Sequence, residues 1–346
     1  MYKFLYTERT NEKATEFETK SLLYLLSMRE DSDEIDTFLI DCFNDVTGIN
    51  RNCNKLWDVQ SKGVKSLNPK KIGRALITLF ENYISDINFH FYILFFPKIS
   101  NIYFVDDSQI LFGIDNFKQN HIQKIKDGLL EEYINRHQGE KLCVNIETQL
   151  KEFIEKVNFV IAEENKNKYI KNIMDLKKAF QKDDEFFDSI FDDIRDKQSA
   201  LKNVSIHAKE IKDVKEVLNF KKFLRKQDIE MLIVDRIVGT NIFKNRRVPI
   251  GFIQFIEGFN QDEIRDVIQQ CDSEVSLMLF NNSDKKNFWI FFEKVYYLIK
   301  NNMYSDINSI YYKVKNEQIV KNEVLSEVGT KYFISLIEEG IKDENN

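Results

Sequence analysis

The segment "NKLWDVQSKGVK", Asn54–Lys65, predicts a β-strand that carries three polar side chains on one face. Successive side chains of a strand point to opposite faces, so Asp58, Gln60 and Lys62 share a face. Trp57 lies on the opposite face, which we expect to be buried in the core. The simplest explanation of the polar face is that it lies in water, on the open side of a half-covered sheet. A functional explanation needs further polar groups from a neighbouring strand.

The preceding segment, "DTFLIDCFNDVTGI" at residues 36–49, supplies such groups. Its aromatic and β-branched residues predict a strand that ends near a glycine. Alternation along this strand places Asp41 and Asp45 on one face. If the two strands pair, these carboxylates meet Gln60 and Lys62 at one edge of the sheet.

This combination of oxygen and nitrogen groups suits a magnesium site. Mg²⁺ prefers hard oxygen ligands and keeps several of its waters, so Asp45 and one oxygen of Gln60 would be enough to hold it. Asp41 is the alternative acid. A metal ion there can activate a water and stabilise charge on a phosphate. Lys62 would orient that water or stabilise the developing negative charge.

The flanking segments predict a mixed α/β core. An amphipathic helix at residues 15–29 precedes the strands. A second helix follows Asn68, which is a candidate N-cap, with Pro69 at the first helical position. "FHFYILFF", Phe89–Phe96, is typical of a buried central strand. Two further helices are predicted at residues 117–136 and 146–155, and a last strand at residues 157–162. The segment "SNIYFV" is a further candidate strand.

The pattern changes after residue 162. Segments such as "KKNFWIFFEKVYYLIKNN" are long, charged and periodic in the manner of helices. We therefore expect an α/β domain over residues 1–162 and a mostly α-helical domain over residues 163–346. No proline- or glycine-rich linker separates the two.

Composition limits the class of protein. The chain has 346 residues, of which 43% are hydrophobic and 31% charged, as in proteins with substantial cores. The net charge of −6 argues against a uniformly basic surface but allows a local basic groove. No apolar run reaches the roughly 18 residues of a membrane span, and no signal peptide is recognisable, so we expect a cytoplasmic protein. The absence of phosphate-binding glycine motifs disfavours a nucleotide hydrolase.

The motif Asp45…Gln60-Ser61-Lys62 resembles the PD-(D/E)xK nuclease superfamily, in a Q-x-K form. In that superfamily an Asp near the end of one strand is followed by (D/E)-x-K on the next. The sequence "FNDVTGI … LWDVQSKG", preceded by "ETKSLLYLLS", is similar to that of the double-strand DNA endonuclease domain of bacterial anti-phage effectors. These effectors include Lamassu-type nuclease subunits and effectors activated by cyclic oligonucleotides. The resemblance covers residues 10–162.

The resemblance implies a restriction-endonuclease-like core that hydrolyses double-stranded DNA with Mg²⁺ or Mn²⁺. In this superfamily a Glu on the first helix often completes the site, and Glu18 or Glu16 would take that place here. Asn44 stands where the pattern often has its first acid. The resemblance also implies control by a partner, such as an SMC-like ATPase or another sensor subunit, and a homo-oligomer as the active form.

Basic residues follow the motif and are candidate phosphate contacts: Lys65, Lys70, Lys71 and Arg74. Ordinary solvation of the outer face of the helix is the alternative explanation, although cations at the start of a helix oppose its dipole, which slightly favours a functional reason. A second basic cluster, Lys244–Gly251, predicts a solvated loop or a partner contact. Two alternative functions stay open: a non-catalytic assembly subunit with a degenerate nuclease fold, and a nuclease that acts on RNA.

Overall fold

The structure is a computed structural model that describes residues 1–4, 16–64, 66–138, 145–174, 183–239, 248–281, 285–303, 306–317 and 324–344. Lys65 and the arginines of the second basic cluster lie outside the described residues. Two compact units are formed, one by Met1–Tyr169 with Phe191–Lys226 and the other by Ile170–Ile190 with Gln227–Asn346. No helix among the described residues is long and apolar enough to cross a membrane.

The strands are β1 (Tyr2–Lys3), β2 (Thr37–Ile40), β3 (Val46–Ile49), β4 (Leu56–Ser61), β5 (Phe91–Phe96), β6 (Leu111–Phe112), β7 (Val157–Ile161), β8 (Glu210–Ile211) and β9 (Phe223–Arg225). The main sheet has the order β6-β7-β5-β4-β3-β2-β9, and β1 pairs separately with β8. β5 runs parallel to both of its neighbours, β4 and β7, and the other pairs are antiparallel. The sheet is therefore mixed, within the α/β core that the sequence predicts.

The helices are α1 (Glu16–Ser27), α2 (Pro69–Ala75), α3 (Ile77–Tyr83), α4 (Gln119–Arg136), α5 (Ile146–Lys156), α6 (Lys166–Ile173), α7 (Asp184–Lys202), α8 (Lys226–Val238), α9 (Gln261–Phe280), α10 (Lys285–Lys300), α11 (Ile307–Asn316) and α12 (Glu327–Glu344). α1 packs against β3, β4 and β5, and α3 contacts β4. The "SNIYFV" segment does not form a strand, because residues 101–103 form a 3₁₀ turn.

The segment at residues 36–49 is a hairpin, so the prediction of one continuous strand is wrong. β2 and β3 pair antiparallel, with Ile40 opposite Val46. Residues 41–45 form the turn, which Asp41 enters with a φ of +48°, in the left-handed region. The Asp41 N–H donates to the Asp45 carbonyl oxygen at 3.2 Å. Asp41 and Asp45 thus lie at the two ends of a tight turn and do not alternate along one strand.

β4 is covered on both faces. All six of its residues are buried. Trp57 is fully buried, as predicted; its ring stacks on Phe91 with centroids 5.7 Å apart, and its Nε1 donates to an Asp31 carboxylate oxygen at 2.9 Å. The opposite face is buried as well, because Asp58 is 0% exposed and Gln60 4% exposed. The explanation that this polar face lies in water is therefore wrong.

The predicted helix after β4 is divided into α2 and α3. Asn68 caps α2 as predicted, since its side chain accepts a hydrogen bond from the Lys71 N–H at 3.0 Å. α2 packs closely on α4 at two glycines. A Cβ on Gly73 would collide with the Ile125 carbonyl oxygen, and one on Gly128 would collide with the backbone of α2. These close approaches fix the position of the basic residues on α2.

The second unit is helical in its described residues, in agreement with the prediction of a helical C-terminal part. Its core contains an aromatic stack in which the Phe288 ring lies 5.9 Å from Phe292 and 5.5 Å from Phe333. The predicted division at residue 162 differs from the observed units. Residues 191–226 pack with the first unit, because β8 and β9 in this stretch pair with β1 and β2.

Candidate functional site

Asp45 ends the hairpin turn and contacts the end of β4. Its Oδ2 accepts hydrogen bonds from Gln60 Nε2 at 2.6 Å, from the Ser61 N–H at 2.6 Å and from Ser61 Oγ at 2.9 Å. Its Oδ1 accepts no hydrogen bond from the described residues. The carboxylate is therefore held firmly through one oxygen, and the other oxygen can accept a ligand. The predicted proximity of Asp45 and Gln60 is found.

Gln60 turns its amide nitrogen toward the acid. Besides the bond to Asp45, its Nε2 lies 3.4 Å from the Ser61 carbonyl oxygen. These two acceptors assign the nitrogen to this side, so the Gln60 Oε1 points away from the Asp45 carboxylate. A glutamate at position 60 would instead place a second carboxylate against Asp45. The amide thus satisfies the acid and still offers an oxygen.

Glu18 and Lys202 form a buried ion pair beside this acid. Lys202 Nζ lies 2.5 Å from Glu18 Oε2 and 3.7 Å from Asp41 Oδ2. Only 3% of the Lys202 side chain is exposed. Glu18 extends from α1, Asp41 belongs to the hairpin turn, and Lys202 is the last residue of α7. No motif in the sequence signals Lys202, because it reaches the cluster from a distant part of the chain.

The ionisable groups influence one another. Burial and, next, the charge of Asp45 raise the pKa of Glu18 to about 7, against the opposing effect of Lys202. Burial also raises the pKa of Asp45, although Lys62 and Ser61 act to lower it. Burial alone would lower the pKa of Lys202, but the acidic partners outweigh it and the pKa is raised. Lys202 therefore stays protonated among these acids.

Glu16 does not join the cluster. It is exposed and forms an ion pair with Lys20, whose Nζ lies 2.6 Å from Glu16 Oε1. Lys20 also donates to the Glu164 carbonyl oxygen at 2.7 Å, which holds this pair on the other side of α1. Of the two glutamates predicted on the first helix, the structure places Glu18 beside Asp45.

Lys62 follows β4 and is half-buried. Its backbone N–H donates to the Phe95 carbonyl oxygen at 2.9 Å, which extends the pairing of β4 with β5 by one residue. Its side chain forms no hydrogen bond or ion pair with the described residues. Its charge nevertheless acts on the Asp45 carboxyl. Within the described residues, the Lys62 ammonium group is thus uncommitted, and its charge acts on the acid.

Asp58 belongs to a buried hydrogen-bond network and not to the cluster of Glu18, Asp41, Asp45 and Lys202. Its Oδ2 accepts from Asn82 Nδ2 at 2.7 Å and from Asn44 Nδ2 at 3.2 Å, and its Oδ1 accepts from Thr47 Oγ1 at 3.1 Å. Tyr2 completes the network by donating to Asn82 Oδ1 at 2.9 Å. An acid in place of Asn44 would set a second carboxylate against Asp58. Asn44 therefore has a structural role in this chain.

Comparison with protein-family models, with curated proteins and with solved structures found no match. The site is therefore interpreted from its own geometry. Among the described residues, no group of three or more His, Cys, Asp or Glu side chains is arranged to hold a metal ion. Around these acids, Lys202 contacts both Glu18 and Asp41, and an amide, not an acid, contacts Asp45.

A groove of about 280 Å³ opens next to Gln60. Its charged lining residues are mostly basic: Lys62, Lys71, Arg74 and Arg136, with Glu132. Of the predicted phosphate contacts, Lys71 and Arg74 line it, and Lys70 does not. Arg136 was not predicted, because α4 reaches the groove only through its packing on α2. The groove and the uncommitted Lys62 lie on the same side as the Gln60 amide.

Two of the groove cations, Arg74 and Lys71, have weak exposed partners, whereas Arg136 pairs with the partly buried Glu81 at 3.0 Å. Glu131 pairs with Lys70 at 2.6 Å and with Arg74 at 3.2 Å, and all three side chains are more than 40% exposed. Lys71 Nζ donates to the Ser66 carbonyl oxygen at 3.3 Å. Exposed ion pairs contribute little to stability, so a phosphate can replace the partners of Arg74 and Lys71.

Proposed function

We propose that this chain is a metal-dependent endonuclease that hydrolyses phosphodiester bonds of double-stranded DNA, with a restriction-endonuclease-like core. One observation carries the proposal: Asp45 is held by Gln60 and Ser61, and the uncommitted ammonium group of Lys62 lies beside it at the end of a basic groove. The order α1, antiparallel strands, α2–α3 and parallel β5 agrees with the order expected from the resemblance.

The residues fit a magnesium or manganese ion in part. Asp45 Oδ1 would hold it, and Gln60 Oε1 would join if the amide turned its oxygen toward the acid, with waters completing the coordination. When bound, the ion supplies an activated water and stabilises charge on the phosphate. Glu18 and Asp41 would join only if Lys202 gave up its contacts with them.

The protein groups around this position have separate tasks. Lys62 would donate to the attacking water or to a phosphate oxygen and so stabilise charge that develops in the transition state. Lys71, Arg74 and Arg136 would contact backbone phosphates along the groove, which gives affinity without base specificity. The hydrogen bonds of Gln60 and Ser61 keep the Asp45 carboxylate in one orientation.

The biological setting rests on the motif resemblance alone. In this setting the chain would be an effector of bacterial anti-phage defence in the cytoplasm. It would be held inactive until an SMC-like ATPase or another sensor subunit triggers it. The proposal that the active form is a homo-oligomer also rests on the motif resemblance. The helical second unit would be the docking surface for that partner.

The first experiment is plasmid cleavage in Mg²⁺ or Mn²⁺, by the chain alone and with the products of neighbouring genes. Lys62→Ala should reduce the rate at least about 100-fold, because it removes a group that stabilises the transition state. Lys55→Ala is the matched control, since Lys55 directly precedes β4 but pairs with Glu34 at 2.7 Å. Equal cleavage by wild type and Lys62→Ala, or cleavage in EDTA, would contradict the assignment.

A non-catalytic subunit is the second candidate, and the pairing of Lys202 with the acids favours it. Direct Mn²⁺ binding distinguishes the two candidates even when the isolated chain is inactive. The proposed site requires binding that Asp45→Ala abolishes. Parallel assays on duplex DNA, single-stranded DNA and RNA separate DNA cleavage from the alternative of RNA cleavage.

A further inference from the structure

We propose that Lys202 is a built-in cation that occupies the carboxylate cluster in place of a metal ion and competes with divalent cations for the same oxygens. The inference rests on the proposed metal site and names how that site is regulated. It concerns the metal-free protein, in which Lys202 keeps Glu18 and Asp41 paired.

The ammonium group lies where the acids converge. Its distances to Glu18 Oε2 and Asp41 Oδ2 are 2.5 and 3.7 Å. The negative charge of Asp45, the proposed first ligand, also acts on this ammonium group and helps to raise the pKa of Lys202. A divalent ion held by Asp45 and either of the other acids would lie close to this ammonium group. Two cations at such a distance repel each other strongly in a water-poor site, so both cannot hold these oxygens.

The approach of Lys202 is built into the packing of α7 on α1. One turn earlier on α7, Gln198 is fully buried, and its Oε1 accepts a hydrogen bond from Thr19 Oγ1 at 2.9 Å. Thr19 is the neighbour of Glu18 on α1. Residues four apart lie on the same face of a helix, so the contact at Gln198 aims Lys202 at Glu18. The lysine is therefore held in place by a second, independent contact.

A second buried lysine fixes the turn but does not compete for the acids. Lys222 is 2% exposed, and its Nζ donates to the Asp41 carbonyl oxygen at 3.2 Å. It thus binds the main chain of the turn, while Lys202 approaches the carboxylate of Asp41. The difference identifies Lys202 as the residue whose departure would open the cluster to a metal ion.

The test is Mn²⁺ binding to the full chain, measured by calorimetry and by the shift in melting temperature. Lys202→Met should bind Mn²⁺ at least about tenfold more tightly than wild type, because one positive charge leaves the site. Lys202→Gln keeps a hydrogen-bond donor for Glu18 and should show the same gain, which covers the case that Lys202→Met does not fold. Lys202→Arg keeps the charge and should stay at the wild-type affinity.

The control is Lys226→Met. Lys226 is also a buried lysine, and its Nζ donates to the Ser32 carbonyl oxygen at 2.8 Å, away from the cluster. Its substitution should leave Mn²⁺ affinity unchanged. Adding Asp45→Ala to Lys202→Gln should abolish the gained binding.

The outcomes separate the two proposals. Equal or weaker Mn²⁺ binding by both Lys202→Met and Lys202→Gln overturns the competing role of Lys202. If metal-dependent cleavage that needs Lys62 is still seen in that case, the proposed function stands alone. No Mn²⁺ binding by any variant overturns both the competition and the metal site.

Discussion

The side-chain nitrogen of Gln60 lies 2.6 Å from Oδ2 of Asp45, so an amide and not an acid contacts the carboxylate at the centre of the candidate site. The bond neutralises no charge, but it satisfies an oxygen of an acid whose pKa burial raises. The Q-x-K form of the motif thus places a hydrogen-bond donor against the acid, and not a second negative charge. An acid at this position would depend on a cation to hold the two carboxylates together.

Gln60→Glu should therefore lower the stability of the metal-free protein and raise its affinity for metal ions. Without metal, the loss of the donor and the new like charge should lower the free energy of unfolding by about 1–3 kcal/mol. With metal, the added charge should strengthen Mn²⁺ binding. Urea unfolding in EDTA and in Mn²⁺ measures both effects. Gln60→Leu is the control, because it loses the hydrogen bond without gaining a charge and should be destabilised in both conditions.

Arg74 and Lys70 share one partner, Glu131, but only Arg74 lines the groove. If the groove binds the DNA backbone, Arg74→Gln should weaken duplex binding and reduce the salt dependence of log K by about 0.9 for each lost phosphate contact. Lys71→Gln should act in the same way. Lys70→Gln should have little effect. Binding is measured by fluorescence anisotropy over a salt series in EDTA, and equal losses for all three variants would argue against the groove.

Local signals in the sequence correctly identified several elements. The Asn68 cap, the buried strand near Phe91–Phe96 and the burial of Trp57 all follow from capping chemistry, hydrophobicity and alternation, which act over a few residues. The pairing of Asp45 with Gln60 also came from a short motif. These parts of the fold and site are readable because their causes are local.

Other features depend on contacts that no local pattern reports. The turn at residues 41–45 has no glycine or proline, so the hairpin was read as one strand. Asp58 shares its predicted face with Gln60 and Lys62, but α3 covers this part of β4 and Asn82 binds Asp58. Lys202 reaches Glu18 only after α7 packs on α1. These contacts join distant parts of the chain, and alternation within one strand carries no information about them.

Trp57 connects the site strand to the core on the other face of the sheet. Trp57→Ala should lower the free energy of unfolding by about 3–5 kcal/mol, because a fully buried ring is removed. Trp57→Phe retains most of the packing and loses the hydrogen bond to Asp31, so it should cost about 1–2 kcal/mol. Urea denaturation gives both values. A variant Trp57→Ala as stable as wild type would mean that this face of β4 is not buried in solution.

Gly73 is a sensitive point, because α2 can carry its basic residues to the groove only by close packing on α4. Gly73→Ala should lower stability by about 1–3 kcal/mol or more, since its Cβ would meet the Ile125 backbone and not a flexible side chain. Its melting temperature should fall together with its affinity for DNA. Gly258→Ala has no atom within 4 Å of the new Cβ and faces only the strain of a φ of +90°, so it should lower stability by less and leave DNA binding unchanged.

Asp58 gives the folded protein a pH dependence that can be isolated. Burial, the largest cause, raises its pKa to about 7, against the hydrogen bonds from Asn82, Asn44 and Thr47. The folded state therefore binds a proton more tightly than the unfolded state, in which the pKa is near 3.8. The contribution of Asp58 to the free energy of unfolding is therefore largest near pH 4 and falls as the pH rises from about 4 through 7.

Asp58→Asn should remove this component of the pH dependence. The new amide can accept from both asparagines with its oxygen and donate to the Thr47 hydroxyl with its nitrogen, so the network is kept. Between pH 5 and pH 8, the fall in the wild-type free energy of unfolding should exceed that of the variant by roughly 2–3 kcal/mol. Glu18, whose pKa is also raised to about 7, retains its own contribution in the variant. Urea titrations in EDTA at the two pH values measure the difference.

Asp31→Asn is the control for this measurement. Burial acts to raise the pKa of Asp31, but hydrogen bonds from Arg29 and Trp57 outweigh it, and the pKa is lowered. The contribution of Asp31 is therefore fully present above pH 5 and is lost only as the pH falls below its ordinary pKa. Asp31→Asn should reduce stability equally at pH 5 and pH 8. If Asp58→Asn also shifts both values equally, Asp58 is ionised in the folded protein throughout this range, and its hydrogen bonds outweigh its burial.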